Sequence, residues 1–599
     1  MSTSGVSQNP LLQKIGSYLG LTGSPADRAA GGRTKPANLI YDVDEIPPVF
    51  TTLLLSLQHI FVVSVAWIFV VVFVTSVTGS SQEAANVIRM SMIASGLATI
   101  LQALRKGPLG SGYLCPMGCG PAYLASSIIV GKSAGLEVVF ALTMFSGLFE
   151  AALSRLVRRL RALFPPEVTG LVVSMVGMEL IAVGCPRFFG YGGSGSVLSG
   201  RAAAVGIITL GVMLAPSVWG KGKIRLYPAL LGLLAGYGSA LLLGVLTWPQ
   251  LKNYLSAPLF SLPHRPHLAW SFVPAFVLTF MIASLCSMLK TIGDITLCQK
   301  INDAHWKRTE MRSVSGGILA GATCTTLSGL LGGMGQSTFT SNVGLSMATG
   351  VTSRSVAYPT GLLLMALAFF PKLAAVFSGM PPPVMGAVLI YVACFMIVGG
   401  IQVITSRLLD ARKTFVVGIP LIFGLSVEIV PQIYQGLPAL VRPLFASSLA
   451  LSTITVVLLN LLLRIGIAKR QQIQITCGPK ASEAIFGFMG RQGAAWGMRP
   501  EVATAATSAL DEVITALRHV PLRSPTVQVA AEFDEFKLEI DVDYDGPPLD
   551  LPGAAPSAEE IAAEGGDVAL ARFLVRRYAD EVKVMRREGQ ARVHLHFEH

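Results

Sequence analysis

The sequence predicts an all-α polytopic membrane protein with fourteen transmembrane helices, followed by a C-terminal α/β domain. The chain has 599 residues, of which 52% are hydrophobic and only 13% are charged, and its mean hydropathy is +0.60. Such values are typical of proteins that cross a membrane many times. Two apolar segments are interrupted by glycine and proline, and after residue 466 the composition becomes that of a soluble domain.

Residues 1–49 precede the first apolar segment and are rich in Gly, Ser, Pro and charged side chains. This composition predicts a disordered N-terminal arm. Residues 50–468 then hold fourteen apolar segments, each near the ~20 residues that a helix needs to cross a bilayer. The segments begin near Thr51, Glu83, Gly112, Gly135, Pro166, Ala202, Leu226, Trp270, Ser313, Gly335, Val356, Pro383, Thr414 and Arg442.

The short loops between these segments predict the orientation of the chain. Loops rich in Lys and Arg stay in the cytoplasm, and connections after even-numbered segments carry about 17 such residues, against about six elsewhere. Both termini are therefore expected on the cytoplasmic side of the cell's inner membrane. The net charge of +12 follows from this loop bias, so nucleic-acid binding is not expected.

The third and tenth segments contain the interrupted stretches, GPLGSGYLCPMGCGPAYLASSIIVG over residues 107–131 and GGMGQSTFTSNVGLSMATGVTSR over residues 332–354. Irregular backbone at membrane depth is tolerated only where it is buried in protein or lines a polar cavity. Each half has seven spans, so the two halves form a 7+7 inverted repeat, as in alternating-access carriers. Free N–H groups at the starts of the half-helices suit acceptor-rich or anionic ligands.

Two pairs of polar residues lie inside otherwise apolar spans. Gln58 and His59 lie in the first span, where they either join helices by hydrogen bonds or take part in binding. Lys290 and Asp294 lie four residues apart in the eighth span, and hence on one helical face. One interpretation is that the two side chains form a salt bridge, and the other is that Lys290 contacts the substrate. The two interpretations are compatible if the salt bridge breaks when the substrate binds.

The segment from Ser341, SNVGLSMATGVTSR, resembles the signature of the nucleobase–ascorbate transporter family, also called nucleobase:cation symporter-2. This family includes the uracil, xanthine and purine permeases. Three further runs are similar to it: Gln58-His59 in the first span, KTIGD from Lys290 in the eighth, and EMRSVSGG from Glu310 before the ninth. The resemblance covers about residues 45–470 and carries expectations about fold, site and activity.

The resemblance implies a core domain of spans 1–4 and 8–11 and a gate domain of spans 5–7 and 12–14. Short antiparallel strands in spans 3 and 10 would form the substrate site, in a homodimer within the bilayer. Family members carry nucleobases or ascorbate with H+ or Na+, so a coupling ion is expected, without a further cofactor or metal. The residues expected to bind substrate are Lys290, Asp294, Ser341, Asn342, Gly120, Pro121 and Tyr123. Those expected to serve coupling or structure are Gln58, His59, Gly344, Thr349 and Arg354.

Several positions depart from the family's pattern. Lys290 stands where base-binding members usually have Glu, and Ser341 stands where they have Gln or Glu. Gly321 replaces an Asp common in the ninth span, and Gly120 falls in a stretch that holds an aromatic residue in the family. These changes make the site more positive, and an unpaired buried charge is costly. The hypothesis is a nucleobase-like substrate that is an acidic heterocycle or a small organic anion.

Residues 472–599 alternate helices with strands of period-two pattern, which predicts a small α/β domain. Its order is similar to the histidine-kinase-type ATPase fold of anti-sigma factors, with Glu512 and Asp545-Gly546 at positions of the nucleotide site. Ala516 stands where a metal-binding Asn is expected, and Pro547 stands where a glycine is expected. These changes indicate a degenerate cytoplasmic regulatory domain, with a nucleotide or protein partner left open. Alternatively, its acidic strands are simply solvated faces.

These observations together predict a secondary active transporter, an ion-coupled symporter of a small molecule. The sequence shows no nucleophile–base pair or metal-ligand spacing of the kind that indicates an enzyme. An alternative is a membrane receptor with a carrier fold, which binds a ligand and signals through the C-terminal domain. Uptake that survives deletion of residues 472–599 favours the transporter, and ligand binding without flux favours the receptor.

Overall fold

The computed structural model of the protein forms two compact units, Met1–Leu461 and Leu462–His599. This division lies close to the boundary that the change of composition predicts. The structure describes residues 34–599 except 106, 158–164, 192–198, 221–226, 264–269, 305, 307–308, 406–408, 438–444, 446, 465–467, 535, 553–555, 558–565 and 588–589. Many of the loop residues that predict the orientation fall in these gaps and so lie outside the described residues.

The end of the N-terminal arm is ordered, which corrects the expectation of disorder for residues 34–49. Val43 is buried, and Tyr41 forms a parallel β-bridge with Val351. The arm is held by the chain that follows the tenth span, a long-range contact that a polar local composition does not reveal. Residues 1–33 of the predicted arm lie outside the described residues.

The first half of the membrane unit contains nine helices and one short strand among the described residues. Local sequence explains where several of them begin. Ser80 caps the second span by accepting a hydrogen bond from the Glu83 N–H, and proline occupies the first turn of others. The elements are α1 (Val49–Ser64), α2 (Trp67–Thr78), α3 (Ser81–Gln102), β1 (Met117–Cys119), α4 (Leu124–Ala134), α5 (Leu136–Leu156), α6 (Pro166–Phe188), α7 (Gly200–Val218), α8 (Pro228–Leu242) and α9 (Trp248–Leu255).

The second half also has nine helices and one short strand in the described part of the chain. Its strand, like β1, lies in the predicted interrupted segment. The elements are α10 (Val277–Ile301), α11 (Met311–Leu331), β2 (Gln336–Thr338), α12 (Thr340–Thr349), α13 (Ala357–Leu367), α14 (Pro371–Ser378), α15 (Pro382–Ile404), α16 (Ala411–Ile429), α17 (Gln432–Gln435) and α18 (Ser448–Leu463).

By length and composition, eight of the described helices can cross a membrane, or nine when one bent pair is counted as a single span. That pair joins Arg354–Leu367 to Pro371–Ser378 with a bend of 82°. Two shorter apolar helices, Pro228–Leu242 and Ser448–Leu463, accompany them. The chain is therefore a mostly helical polytopic membrane protein, as its composition predicts.

Small residues allow the helices of this unit to approach closely, as is common in membranes. Helix α6 packs along α15, α5 along α11, and α3 along α13. At the first of these crossings a Cβ on Gly170 would lie 2.6 Å from the carbonyl oxygen of Gly400. The other crossings use Gly147 and Gly329 for α5 with α11, and Gly96 and Gly361 for α3 with α13.

The second unit is an α/β domain, as its alternating pattern predicts. Its five strands form one antiparallel sheet in the order β3-β4-β5-β7-β6. Apolar side chains of the strands and of three helices form a core that is separate from the membrane unit. The elements are β3 (Lys469–Thr476), α19 (Ala481–Trp496), α20 (Pro500–Leu517), β4 (Thr526–Asp534), β5 (Lys537–Tyr544), α21 (Gly566–Tyr578), β6 (Glu581–Arg587) and β7 (Gln590–Glu598).

The acidic side chains of β5 lie on the face of the sheet that points away from this core. Asp543 pairs with Arg592 at 2.6 Å, and Asp541 lies 2.7 Å from His594 Nδ1, both across the β5–β7 ladder. Opposite charges that face one another across strands stabilise a sheet modestly. The acidic residues of this strand thus have basic partners on a partly solvated face.

Candidate functional site

The two interrupted segments meet as a pair of antiparallel strands, as the family resemblance implies. Gly118 of β1 lies opposite Ser337 of β2, and all six strand residues are buried. A further hydrogen bond of 2.8 Å joins the Gly120 N–H to the Gly335 carbonyl. The backbone groups of the interrupted segments therefore satisfy one another inside the protein, which removes the cost of irregular chain at membrane depth.

A half-helix begins immediately after each strand. A 3-10 turn, Pro121–Tyr123, leads from β1 into α4, and α12 follows β2 after Phe339. No side chain caps the start of the turn, of α4 or of α12. Pro121 has no N–H, and the Tyr123 and Asn342 N–H groups already donate to the Gly120 and Phe339 carbonyls at 3.1 and 2.9 Å. What these starts offer an acceptor-rich ligand is therefore mainly the partial positive charge of the helix dipole.

Asp294, on α10, is the most fully hydrogen-bonded charge near the strands. Its carboxylate accepts from Lys290 Nζ at 2.9 Å, from Thr338 Oγ1 at 2.6 Å and from Thr340 Oγ1 at 2.7 Å. Lys290 also donates to the Thr338 carbonyl. The two charged side chains are 11% and 5% exposed. These bonds tie α10 to β2 and to the first turn of α12.

This cluster limits what the charge argument made from sequence implies. The site remains more positive than the family pattern, but the structure places Lys290 in a salt bridge with Asp294, one of the two arrangements expected from sequence. A paired ammonium and carboxylate carry no net charge, and the ammonium donates a second bond to a backbone carbonyl. Of the two sequence interpretations, the internal salt bridge is therefore the one that the structure displays. A site built on a neutral pair does not by itself demand an anionic ligand.

Asn342 lies in the first turn of α12 and is fully buried. Its Oδ1 lies 2.8 Å from Nδ1 of His59, which joins span 1 to span 10. The amide nitrogen Nδ2 has no hydrogen-bond partner among the described groups. A buried donor left unpaired costs about 1–3 kcal/mol, so this nitrogen requires an acceptor from a ligand or from water.

In Gln58, as in Asn342, one polar atom of the side-chain amide has a hydrogen-bond partner and the other has none among the described residues. Its Nε2 donates to the hydroxyl of Tyr227, next to the start of α8, at 2.6 Å. Its buried Oε1 has no hydrogen-bond partner in the described part of the chain. Gln58 and His59 thus make the hydrogen bonds between segments that one interpretation expects. Gln58 in addition leaves an acceptor unpaired, and the partner of His59 leaves a donor unpaired.

The remaining residues of the α12 signature are less tightly held. Ser341 is exposed, and a Cβ added at Gly344 would meet no atom within 4 Å. The Thr349 hydroxyl bonds to the Leu345 carbonyl of its own helix at 2.9 Å. No packing constraint therefore explains the glycine at 344, and Thr349 serves its own helix in this structure.

Arg354, the last residue of the signature, anchors the N-terminal arm. It is buried, donates to the Val43 carbonyl at 3.1 Å and forms an ion pair with Asp44. Its placement matches the structural part of its expected role. The pairing partner precedes it by more than 300 residues, so local sequence does not disclose it.

The residues expected from span 3 lie against β2. A Cβ on Gly120 would lie 3.0 Å from the Cβ of Ser337, and one on Gly335 would lie 2.6 Å from the Tyr123 ring. The Tyr123 ring is fully buried. Glycine at 120 and 335 thus lets the strands and this ring pack closely, and Pro121 starts the turn that carries the ring.

The residues that hold Asp294 and β2 in place are not among those expected from sequence. Thr338 and Thr340 lie in the run QSTFTSN of the second interrupted stretch, where no local signal distinguishes them from their neighbours. Gln336 is also missed: its Oε1 accepts from Ser95 at 2.6 Å and its Nε2 donates to the Met334 carbonyl at 2.9 Å. Only the fold shows which hydroxyl and amide groups point inward.

Gly321, where the family often has Asp, faces β1: a Cβ there would lie 3.0 Å from Met117 Cε. Cys115 and Cys119 are buried free thiols. Among the described residues, no group of three or more His, Cys, Asp or Glu side chains could hold a metal ion.

Comparison with known proteins identifies the family. The model of the permease family Xan_ur_permease matches residues 50–433. CPE0397 of Clostridium perfringens, whose name places it among purine permeases, is 32% identical over 433 residues, which cover 71% of this chain and 93% of its own. Xanthine permease XanP of Escherichia coli is 29% identical over 451 residues, 72% of this chain and 96% of its own.

Among solved structures, the transmembrane domain of the cyanobacterium bicarbonate transporter BicA aligns with a TM-score of 0.40 and 14% identity, over 67% of this chain and 97% of its own. The family match spans well over half of the present chain, and the signature that begins at Ser341 lies within it. The protein therefore belongs to the permease family Xan_ur_permease, that of the nucleobase–ascorbate transporters, and is a membrane transporter and not an enzyme.

Proposed function

We propose that this permease carries a purine or pyrimidine nucleobase-like heterocycle that is neutral when bound. The observation that carries the proposal is the unpaired amide nitrogen of Asn342, buried at the start of α12. A carbonyl oxygen of an oxopurine or of uracil is a suitable acceptor for it. The relative named xanthine permease XanP supports this substrate class.

The donor and acceptor groups left open around the strands suit such a ring. Asn342 Nδ2 offers a donor, and Gln58 Oε1 offers an acceptor for a ring N–H. Because Lys290 is neutralised by Asp294, a small organic anion would meet no uncompensated cation there. We therefore favour a neutral heterocycle over the acidic substrates that the sequence suggests.

We further propose fourteen spans in a 7+7 inverted repeat, with the core and gate domains of the family. The helix pairs support this. In a 7+7 repeat, each span of the first half corresponds to the span seven later. Spans 4 and 9 (α5 and α11) pack together, and so do the corresponding spans 11 and 2 (α13 and α3). The pair of spans 5 and 12 (α6 and α15) maps onto itself. In the proposed mechanism the core domain moves against the gate domain and carries the substrate across the membrane. We also propose that both termini are cytoplasmic, that H+ or Na+ is the coupling ion, and that the protein is a homodimer.

The test is counterflow in proteoliposomes that contain the purified full-length protein. We expect uptake of tritiated xanthine into vesicles preloaded with xanthine, inhibited by other oxopurines or uracil and not by succinate or ascorbate. Protein-free vesicles are the control. Inhibition by succinate alone would contradict the proposal of a neutral heterocycle and would support an anionic substrate instead. Stabilisation by xanthine without counterflow would favour a receptor.

The C-terminal domain is proposed to be regulatory and not to hydrolyse a nucleotide. Leu549 and Leu551, which follow Gly546, are packed into the domain core, and the buried Ala516 offers no ligand to a metal ion. The segment that would wrap a phosphate is thus folded inward. Burial and the neighbouring Asp511 carboxylate raise the pKa of Glu512.

Truncation after Arg464 is expected to leave counterflow intact, because the two units have separate cores. Mg-ATP is expected to leave the thermal unfolding midpoint of the full chain unchanged. Counterflow by the truncated protein and differential scanning fluorimetry of the full chain measure these outcomes. A midpoint that rises with Mg-ATP would refute the degenerate-domain proposal, since a ligand that binds the folded state stabilises it.

A further inference from the structure

Glu150 is a buried carboxyl group in the membrane unit, and it is not one of the residues of the proposed substrate site. It lies on α5 with 2% of its surface exposed, and its Oε2 has no hydrogen-bond partner among the described residues. Ionisable groups inside a span are rare because they are costly, and they commonly mark a pathway for an ion or a proton. The position is therefore a candidate for function.

The side chain that faces Glu150 is Tyr123, whose hydroxyl also lacks a hydrogen-bond partner in the described structure. Ser146, Ser287 and Thr325 lie around this hydroxyl. Two buried polar groups that face one another without a standard hydrogen bond form an incomplete network. A proton on the carboxyl, a water molecule or a small movement of Tyr123 would complete it.

This polar group leads directly to the proposed substrate site. Ser287 and Thr325 each donate to the carbonyl of Gln336 in β2, at 3.3 Å. The Tyr123 ring packs against Gly335, immediately before the same strand. A change in the charge of Glu150 therefore acts on side chains that hold the strand of span 10.

In the described part of the helices around Glu150, no cation is placed to neutralise its ionised form. On α5 itself, Glu137 and Arg155 lie in the terminal turns. Helices α4, α10 and α11 pack against α5. Lys290 is committed to Asp294, and the other charged groups lie in terminal turns of their helices. The titratable side chains on these three helices are Lys132, Cys286, Lys290, Asp294, Cys298, Lys300, Arg312 and Cys324.

We propose that Glu150 is the proton-binding site that couples proton movement to substrate transport in this permease. When the region opens to water, the carboxylate takes a proton from the aqueous phase; when the region closes around Tyr123, the carboxyl group is carried neutral. The reverse step releases the same proton on the other side, so one proton crosses for each cycle. The inference rests on the proposed transport function and specifies its coupling ion.

Asp294 is less suited to this role. Its carboxylate already accepts bonds from Lys290, Thr338 and Thr340, and protonation would break the bridge to Lys290 and leave that ammonium unpaired. A carboxyl group that gains and loses a proton in each cycle must be stable in its protonated, neutral form as well as in its ionised form. Among the described residues around β2, Glu150 offers that state.

The test compares wild type with Glu150→Gln in proteoliposomes, with tritiated xanthine as the probe and pyranine inside the vesicles. Glu150→Gln keeps the size of the side chain and fixes it in a neutral form. In wild type, one coupled proton and a gradient of one pH unit support about tenfold accumulation. In Glu150→Gln we expect xanthine counterflow to persist while accumulation falls to the equilibrium ratio and xanthine-driven acidification disappears.

Two further variants keep this outcome interpretable. Glu137→Gln, in the first turn of the same helix, is the matched control and is expected to accumulate xanthine as wild type does. Glu150→Asp retains a titratable group, and we expect it to retain xanthine-driven acidification. Undiminished proton flux in Glu150→Gln, or accumulation driven by a sodium gradient alone, would overturn the proposal. Absence of wild-type counterflow with every nucleobase tested would instead refute the transport function.

Discussion

Asp294→Asn is expected to abolish uptake and to destabilise the membrane unit by about 3–5 kcal/mol, the usual cost of removing one partner of a buried ion pair. The substitution preserves the shape of the side chain and removes its charge. Lys290, 11% exposed, is then left as an unpaired cation next to β2. The measurement is thermal unfolding of the purified protein in detergent, together with counterflow.

The double variant Lys290→Met/Asp294→Asn tests whether the loss of stability in Asp294→Asn comes from the unpaired charge of Lys290. It removes both charges, so we expect it to recover most of the stability that Asp294→Asn loses. Glu581→Gln is the control, because the Lys583–Glu581 pair is 57% exposed on both sides and such pairs contribute little. A double variant as unstable as the single one would show that the ion pair is not what holds the cluster.

Asn342→Asp is expected to weaken xanthine binding by more than about tenfold, or 1.4 kcal/mol, and also to lower the thermal unfolding midpoint, because Asn342 is fully buried and an unpaired buried carboxylate is costly. A carboxylate still accepts the bond from His59 Nδ1, so the link between spans 1 and 10 survives. The unpaired amide donor disappears, and an acceptor then faces the substrate carbonyl. Xanthine titration followed by scanning fluorimetry measures affinity and stability in one experiment.

Asn302→Asp is the matched control for this prediction. Both polar atoms of the Asn302 amide have partners, because Nδ2 donates to the Cys298 carbonyl at 2.8 Å and Oδ1 accepts from Thr352 at 2.5 Å. This substitution is therefore expected to lower stability and leave xanthine affinity unchanged. The opposite pattern, with affinity lost in Asn302→Asp and kept in Asn342→Asp, would remove Asn342 from the proposed site.

The position of the site along the chain is predictable from sequence, but the set of groups that hold its ion pair is not. Glycine and proline within apolar runs mark both interrupted segments, because such backbone needs partners inside the protein. The four-residue spacing of Lys290 and Asp294 makes their salt bridge one of the two expected arrangements. Only the structure shows that this pair forms and that Thr338 and Thr340 also donate to the carboxylate.

The sequence by itself determined the membrane class, the interrupted segments, the family signature and the alternating pattern of the C-terminal domain. Each of these is a local property: hydropathy over about 20 residues, helix-breaking residues, or a period of two. The tertiary structure alone decided that Glu150 faces Tyr123, that Arg354 orders the arm through Asp44, and that Asn342 keeps an unpaired donor. The physical reason is that hydrogen bonds and charge pairs between distant segments depend on which faces the fold brings together.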